Sequence, residues 1–217
     1  RLIVEREREI LNFKSTSSYK VTGVFTGNTQ NKIFELKAEV PVRFNTQKEA
    51  VQFLEKCINS TFTVKNIVKK PSKRSPSAPF TTSTLQQEAS RKLGFSVSQT
   101  MAIAQRLYES GKITYMRTDS VNLSNQALTA AEQIITSEYG QDYSNRKNYK
   151  TKAKGAQEAH EAIRPAYLDK KVISGNNGEK KLYELIWKRT IASQMSDAKF
   201  EKTTAEIGIS TSSEKFI

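Results

Sequence analysis

Apolar and polar residues alternate in the first third of the chain, which is the two-residue period of half-buried β-strands. Strands are predicted at 19–26 and 32–40, and the loop Gly27–Asn31 would join them as a hairpin. Thr46 and Glu49 have the spacing of a capping box, which predicts that a helix begins there. This region is therefore predicted to be a small α+β module.

Prolines interrupt this pattern after a further predicted strand at 61–69. The stretch Pro71–Pro79 contains three prolines and three serines, a composition typical of a linker. A domain boundary is therefore expected near residue 79.

The apolar positions change to a helical period of three or four residues beyond this linker. One helix is predicted at 82–93, with Gly94 ending it, and a second is capped by Ser98 and ended by Gly111. A strand follows, so the order is helix, turn, helix, strand, which is that of a winged helix-turn-helix.

The remaining elements complete a two-part organisation. A helix capped by Ser124 and another at 180–195 continue the helical region, and the last strand, 199–210, is predicted to rejoin the sheet that begins near Tyr19. The predicted fold class is α+β, with a mainly helical, winged-helix-like domain inserted into a smaller antiparallel module. The expected domains are a helix at 1–17 that belongs to a neighbouring domain, a β-rich module at 18–79 plus 197–217, and the helical domain at 80–196. Arg1 is not a Met and the last strand reads as unfinished, so the sequence is expected to be part of a longer protein.

The charge balance narrows the function. The chain has 217 residues and a formal net charge of +13, from 35 Lys and Arg against 22 Asp and Glu. This excess favours an acidic partner, most simply nucleic acid, and no apolar run approaches the ~20 residues needed to span a bilayer. Cys57 is the only cysteine, which excludes an internal disulfide and a cysteine zinc cluster and fits a reducing cytoplasm.

The segment 112–120 contains the most specific chemistry. If it is a strand, Ile113, Tyr115 and Arg117 share one face. A tyrosine hydroxyl is a poor nucleophile at neutral pH because its pKa is about 10, but a guanidinium nearby favours the phenolate and can hold a phosphate. The pair could therefore attack a phosphodiester, although an isolated Tyr-x-Arg is more often ordinary strand packing beside a solvated arginine.

Three blocks, in the same order, resemble signatures of the bacterial type IA DNA topoisomerase family. They are Leu107–Gly111 continuing into Ile113–Ser120, then Gln157–Pro165, and Arg1–Ile10 at the start. The resemblance runs along nearly the whole chain and implies the central-domain fold of that family, with a domain II-like module and a domain III-like helical insertion.

The resemblance assigns roles to individual residues. It implies that Tyr115 is the nucleophile, that Arg117 clamps the phosphate and stabilises the phenolate, and that His160, the only histidine, supports cleavage. Asp119 and Glu109 would be supporting polar residues of the catalytic group. The nucleic-acid contacts expected from the same resemblance are Arg1, Arg6, Arg8, Arg117 and Arg164.

The family activity would be strand cleavage through a 5′-phosphotyrosyl link, strand passage and resealing, which relaxes negatively supercoiled DNA without ATP. It requires Mg²⁺, which acidic residues of a Toprim domain hold, and no such Asp-x-Asp motif is present in this sequence. The metal site is therefore expected outside this sequence, which alone would be inactive. The expected partner is DNA, especially single-stranded DNA, and no membrane association is expected. The protein is expected to be a monomer in the cytoplasm that associates with the nucleoid.

Several simpler interpretations remain open. The helix at 1–13 leaves Leu2, Ile3, Ile10 and Phe13 for a core, and it is more typical of a solvated helix with internal ion pairs than of a DNA contact. The basic stretches 69–74 and 143–155, the latter with Tyr143 and Tyr149, are typical of exposed loops as well as of DNA contacts. The alternative function is a non-catalytic winged-helix DNA-binding module, which would not require Tyr115, Arg117 and the His160 block to occur together.

Overall fold

A computed structural model describes residues 1–29, 32–149 and 160–217. Within these ranges the chain forms two compact units, of which unit 1 comprises Arg1–Ser72 and Glu201–Ile217 and unit 2 comprises Lys73–Phe200. Three sets of sequence predictions fall outside the described residues: the hairpin tip at 30–31, the basic residues at 150–155 and the start of the histidine block at 157–159.

Among its described residues, unit 1 contains two sheets and two helices. Its elements are α1 (Leu2–Asn12), β1 (Thr22–Thr29), β2 (Lys32–Glu39), α2 (Gln47–Ile58), β5 (Ser212–Phe216) and most of β3 (Phe62–Arg74) and β4 (Ala198–Ile209), whose residues 73–74 and 198–200 belong to unit 2. The predicted hairpin is confirmed, because β1 pairs with β2 from Thr22↔Glu39 onwards. The predicted capping box is also confirmed, since the Glu49 amide donates to Thr46 Oγ1 at 3.2 Å.

An aromatic cluster forms the core of unit 1. The rings of Phe25 and Phe53 lie 5.3 and 6.3 Å from that of Phe216, and Phe53 and Phe216 are buried. Ala38 of β2 and Val40, just after this strand, are buried with them, whereas Phe34 and Leu36 remain exposed. The alternation in β2 therefore marks a buried face only near the aromatic rings.

Three details of unit 1 differ from the prediction. The predicted linker at 71–79 is wrong in its first part, because β3 continues through Pro71 to Arg74. In the order β3-β4-β5 it is an edge strand, where proline's missing amide is tolerated. The strand β4 pairs with β3 and β5 rather than with the hairpin, and Glu39 and Ile217 exchange two backbone hydrogen bonds of 2.9 Å beside it. The helix α1 buries none of its residues, so the apolar side chains expected in a core remain exposed.

The part of unit 2 that the structure describes has four α-helices around one core. They are α3 (Thr82–Leu93), α4 (Val97–Glu109), α5 (Asn125–Tyr139) and α6 (Asn177–Ser193), with a 3₁₀ turn at Gln141–Tyr143. The predicted start and end of α3 are confirmed, and Gly94 ends it in the left-handed region with φ of 69°. The predicted cap of α4 is wrong by two residues, since Ser96 rather than Ser98 accepts the Gln99 amide.

The core of unit 2 brings all four helices together. Leu85, Leu107, Ile135 and Ile186 are completely buried, one from each helix. Trp187 lies beside them, and its indole Nε1 donates to the Leu168 carbonyl at 2.8 Å. None of the helices in the described ranges combines the length and apolar character that crossing a bilayer requires.

The predicted strand at 112–120 is wrong. Only Ile113 forms a bridge, with Pro165, and the rest of the segment is unpaired in any sheet, with bends at 112, 114, 116 and 117. Ile113 is buried whereas Tyr115 is exposed, so they do not share a face. The reason is that the hydrogen bonds of this segment go to side chains and to separate loops.

The core of unit 2 yields a stability prediction. Leu85→Ala should lower the free energy of unfolding by about 2–5 kcal/mol, because it removes buried methyl groups and leaves a cavity. Urea unfolding followed by the fluorescence of Trp187, the only tryptophan, reports on this unit. Val97→Ala, at a site 56% exposed, is the control and should change little; equal losses in the two variants would contradict this description of the core.

Candidate active site

Tyr115 lies on the segment between α4 and α5. Along this segment Met116, Thr118 and Ser120 are buried, while Tyr115 is 37% exposed. Arg117 and Asp119 are exposed as well, so exposed and buried side chains alternate from Tyr115 to Ser120. The phenol therefore points outward from a backbone that is anchored on its other side.

Thr82, at the first position of α3, provides one of these anchors. Its hydroxyl donates to the Met116 carbonyl at 2.8 Å and accepts the Thr118 amide at 2.9 Å. A buried backbone group left without a partner costs about 1–3 kcal/mol, so these bonds fix the path on both sides of Arg117.

Thr114 provides the second anchor and joins the tyrosine segment to the histidine block. Its amide donates to the Arg164 carbonyl at 2.9 Å, and its hydroxyl donates to the Ala162 carbonyl at 2.7 Å. The same hydroxyl accepts the Arg164 amide at 3.0 Å. Three hydrogen bonds thus hold the residue before Tyr115 against the residues that follow His160.

This anchoring brings the two predicted catalytic rings together. The centroids of Tyr115 and His160 are 5.6 Å apart, with the ring planes inclined at 38°. Tyr115 also meets the ring of Tyr108 from α4, edge to face, at 5.2 Å. No sequence pattern indicated this second neighbour, which is 40% exposed.

Glu161 fixes the histidine block to the start of α5. Its carboxylate accepts the Ser124 amide at 2.5 Å and two hydrogen bonds from the Arg164 guanidinium, at 2.5 and 3.1 Å. Burial raises the pKa of the Glu161 carboxyl, but the hydrogen bonds from Ser124 and the positive charge of Arg164 outweigh it and hold the pKa below its ordinary value. Glu161 is therefore ionised in the folded protein at neutral pH.

Arg164 is occupied by contacts within the protein. Besides Glu161, its Nη1 donates to the Pro165 carbonyl at 2.9 Å, and the side chain is only 14% exposed. Its expected phosphate contact stays a prediction.

The other predicted residues are distributed over both units. Glu109 ends α4 and accepts a hydrogen bond from Gln105 Nε2 at 2.7 Å. Arg1, Arg6 and Arg8 lie exposed on α1 of unit 1, where Arg1 pairs with Glu5 at 2.8 Å and Arg6 with Glu9 at 2.5 Å. These contacts match the internal ion pairs of the simpler interpretation, and the DNA contacts stay predictions.

The described residues do not fit a metal site. In the ranges 1–29, 32–149 and 160–217, no three His, Cys, Asp or Glu side chains are grouped so that they could hold an ion. The carboxylate closest in sequence to His160, that of Glu161, already has its partners.

Comparisons with known proteins identify relatives along the whole chain. The family described as DNA topoisomerase matches residues 1–217. The DNA topoisomerase 1 of Zymomonas mobilis is 45% identical over 95% of this chain, and a mimivirus protein described as DNA topoisomerase 1 type prokaryotic is 42% identical over 97%. The chain spans 18% and 27% of the length of these two relatives.

The solved structures include a similar fold. Full-length topoisomerase I from Thermotoga maritima matches 99% of this chain with a TM-score of 0.71 and 36% sequence identity. The chain spans 36% of that protein.

The Glu161 contacts yield a pH-dependent prediction. Because folding lowers the pKa of this carboxyl from its ordinary value of 4.5, its stabilisation is present above that value and is lost as the pH falls through the lowered pKa. Glu161→Gln should therefore cost about 1–3 kcal/mol of unfolding free energy at pH 7, and the difference from the wild type should narrow below about pH 4.

Urea unfolding at a series of pH values checks this. Glu184→Gln, which breaks an exposed ion pair with Lys188 of 2.7 Å, is the control and should cost about 0.5 kcal/mol or less. If Glu161→Gln loses the same free energy of unfolding at pH 7 and in acid, the charge of Glu161 contributes nothing to stability.

Proposed function

The chain belongs to the bacterial type IA DNA topoisomerase family, and on that premise we propose that it supplies the tyrosine that cleaves DNA. In the complete protein, Tyr115 cuts one strand, holds it through a 5′-phosphotyrosyl link while another strand passes, and the break is then resealed. Negatively supercoiled DNA is relaxed, and no ATP is needed because the covalent link retains the energy of the broken bond.

The observation that carries this proposal is the exposed phenol of Tyr115 beside the imidazole of His160, 5.6 Å between centroids. The two residues are 45 positions apart in sequence, and the Thr114 hydrogen bonds that hold their segments together are 2.7 and 3.0 Å long. A fixed position for the attacking oxygen lowers the entropic cost of reaching the transition state.

The chemical step can be written with the residues of this site. The phenolic oxygen of Tyr115 attacks the phosphorus, the bond from phosphorus to the 3′ oxygen breaks, and the strand ends in a 3′-hydroxyl. The proton lost by the phenol matches the proton gained by the leaving oxygen. Arg117 binds the phosphate and stabilises the developing charge, and His160 donates a hydrogen bond to it.

The remaining predicted residues have supporting roles in this proposal. Asp119 and Glu109 adjust the polarity around the phenol, and Arg1, Arg6, Arg8 and Arg164 contact the DNA backbone. Mg²⁺ would act from acidic residues of a Toprim domain outside the described residues, and no step here depends on the ion. We also propose a monomeric protein of the cytoplasm, associated with the nucleoid, that binds single-stranded DNA.

The domain organisation is part of the same proposal. The helices α3 and α4 would form a winged-helix-like unit in a domain III-like insertion at 80–196, flanked by a domain II-like module and by a first helix that belongs elsewhere. In a non-catalytic DNA-binding module, α4 would instead read bases in a major groove. The exposed Tyr115 beside His160 favours the catalytic function, because base reading uses neither residue.

The first prediction concerns the nucleophile. In the complete protein with magnesium, Tyr115→Phe should abolish cleavage and relaxation while DNA binding survives, because only the attacking oxygen is lost. Tyr108→Phe is the matched control, since this neighbouring exposed phenol has the same ring contact, and it should still cleave. A denaturing gel with labelled single-stranded DNA reads both variants. If Tyr115→Phe still cleaves DNA, or if only Tyr108→Phe loses cleavage, Tyr115 is not the nucleophile.

The second prediction concerns His160. In the complete protein, His160→Ala should lower the cleavage rate about tenfold to a hundredfold through the loss of one charge-assisted hydrogen bond to phosphate. His160→Gln keeps a donor and should recover part of the rate. Thermal unfolding of each variant serves as the folding control. Normal cleavage by a folded His160→Ala variant would make the histidine structural.

A further inference from the structure

A cavity of about 650 Å³ lies in unit 2 at the end of α6. Its walls come from three stretches of chain, which are residues 74–77, the 3₁₀ turn with Tyr143, and residues 192–199. No lining residue belongs to the group around Tyr115, so the cavity is separate from the candidate active site.

Hydrogen bonds between the walls give the cavity a fixed shape. The Ser196 amide donates to the Tyr143 carbonyl at 2.9 Å, and the Ser196 hydroxyl donates to the Asp142 carbonyl at 2.8 Å. The hydroxyl of Tyr149 donates to the Pro76 carbonyl at 3.3 Å and to the Ser193 carbonyl at 2.9 Å, which joins the stretch 74–77 to the end of α6. A site that is already formed loses little conformational entropy when a ligand enters.

The lining combines an aromatic surface with positive charge. Tyr143 is 56% exposed, and Pro76 and Met195 add apolar surface beside it. Arg74 and Lys199 are exposed and supply two cations. Aromatic and apolar groups bind the face of a base, and basic side chains bind the phosphate that follows it.

The acidic residues of the lining only partly cancel this charge. Asp197 is paired with Lys147 Nζ at 2.6 Å, and hydrogen bonds from Lys147 and Ser75 hold the pKa of its carboxyl below the ordinary value. Asp142 is then the one lining carboxylate left to set against Arg74 and Lys199. The surface remains positive overall, which favours a ligand that is both planar and anionic.

We propose that this cavity binds one unpaired nucleotide of single-stranded DNA, with the base against Tyr143 and Met195 and the phosphate at Arg74 and Lys199. The proposal rests on the proposed function for its ligand class, and it adds a second point of contact for DNA outside the cleavage centre. A volume of about 650 Å³ is in the range of pockets that enclose small molecules of nucleotide size.

Photo-crosslinking tests the location directly. The 217-residue chain would be irradiated with a thymidine oligonucleotide that contains 5-iododeoxyuridine, and the crosslinked peptide would be identified by mass spectrometry. We expect a crosslink at Tyr143. Crosslinks on other residues of the chain without Tyr143 would overturn the proposal, whatever the affinity.

Affinities of variants test the chemistry. By fluorescence anisotropy with an oligothymidylate, Tyr143→Ala should weaken binding about fivefold to 150-fold, while Tyr143→Phe should bind like the wild type. Tyr167→Ala, which removes another exposed tyrosine, is the control. An equal effect of Tyr143→Ala and Tyr167→Ala would contradict stacking in this cavity.

The salt dependence tests the phosphate contact. Arg74→Ala should reduce the slope of log affinity against log salt by about 0.7, as expected for one lost contact to a single strand. Arg91→Ala removes the same charge from α3 and should leave the slope unchanged. Equal slopes in the two variants would show that Arg74 contributes no more than any other surface charge, which would contradict the proposal.

These measurements separate the inference from the proposed function. Binding at Tyr143 needs neither magnesium nor the phenol of Tyr115, so Tyr115→Phe should crosslink normally. A complete protein that cleaves through Tyr115 but gives no Tyr143 crosslink would support the proposed function and contradict nucleotide binding in the cavity. A Tyr143 crosslink without any cleavage at Tyr115 would support binding in the cavity and contradict the proposed function.

Discussion

The candidate active site depends on hydrogen bonds that cross long distances in sequence. The segment that carries Tyr115 has no regular ladder, so its backbone groups must find partners elsewhere. Thr114 binds the carbonyls and the amide of a loop 48 to 50 residues away, and Thr82 binds the segment from 34 to 36 residues away. The position of the phenol is therefore set by the tertiary fold of unit 2, because no local element could hold it there.

The loop after His160 is also hydrogen-bonded to the residues that precede α3 and to those that follow the Tyr115 segment, so each of these segments helps to hold the others in place. The Ile163 amide donates to the Phe80 carbonyl, and the Ala162 amide donates to the Asn122 carbonyl, each at 2.8 Å. The Glu161 carboxylate adds the start of α5 to this network. The ion pair between Glu161 and Arg164 neutralises both of their charges. Arg117, which is exposed, is the cation nearest Tyr115 in sequence.

Sequence patterns predicted the helices well because their ends carry local signals. Gly94 and the caps Thr46 and Ser124 act within one turn, and each begins or ends a helix as expected. Apart from the two-residue error at the cap of α4, the errors arose where distant contacts decide the structure. Pro71 continues a strand because that strand is at an edge, and 112–120 is unpaired because its bonding partners are threonine side chains and loops. The family resemblance brought Tyr115 and His160 into one hypothesis, but the contacts of Tyr108 and Thr82 depend on the tertiary fold and had no sequence signal.

In the proposed reaction, the Tyr115 oxygen forms the bond to DNA. The most direct measurement is to trap the covalent complex of the complete protein with single-stranded DNA in denaturant, digest it, and identify by mass spectrometry the tyrosine that carries the nucleotide. We expect a 5′-phosphate on Tyr115 alone among the eight tyrosines of this sequence. A nucleotide on Tyr108, on any other residue, or joined through its 3′-phosphate would contradict it.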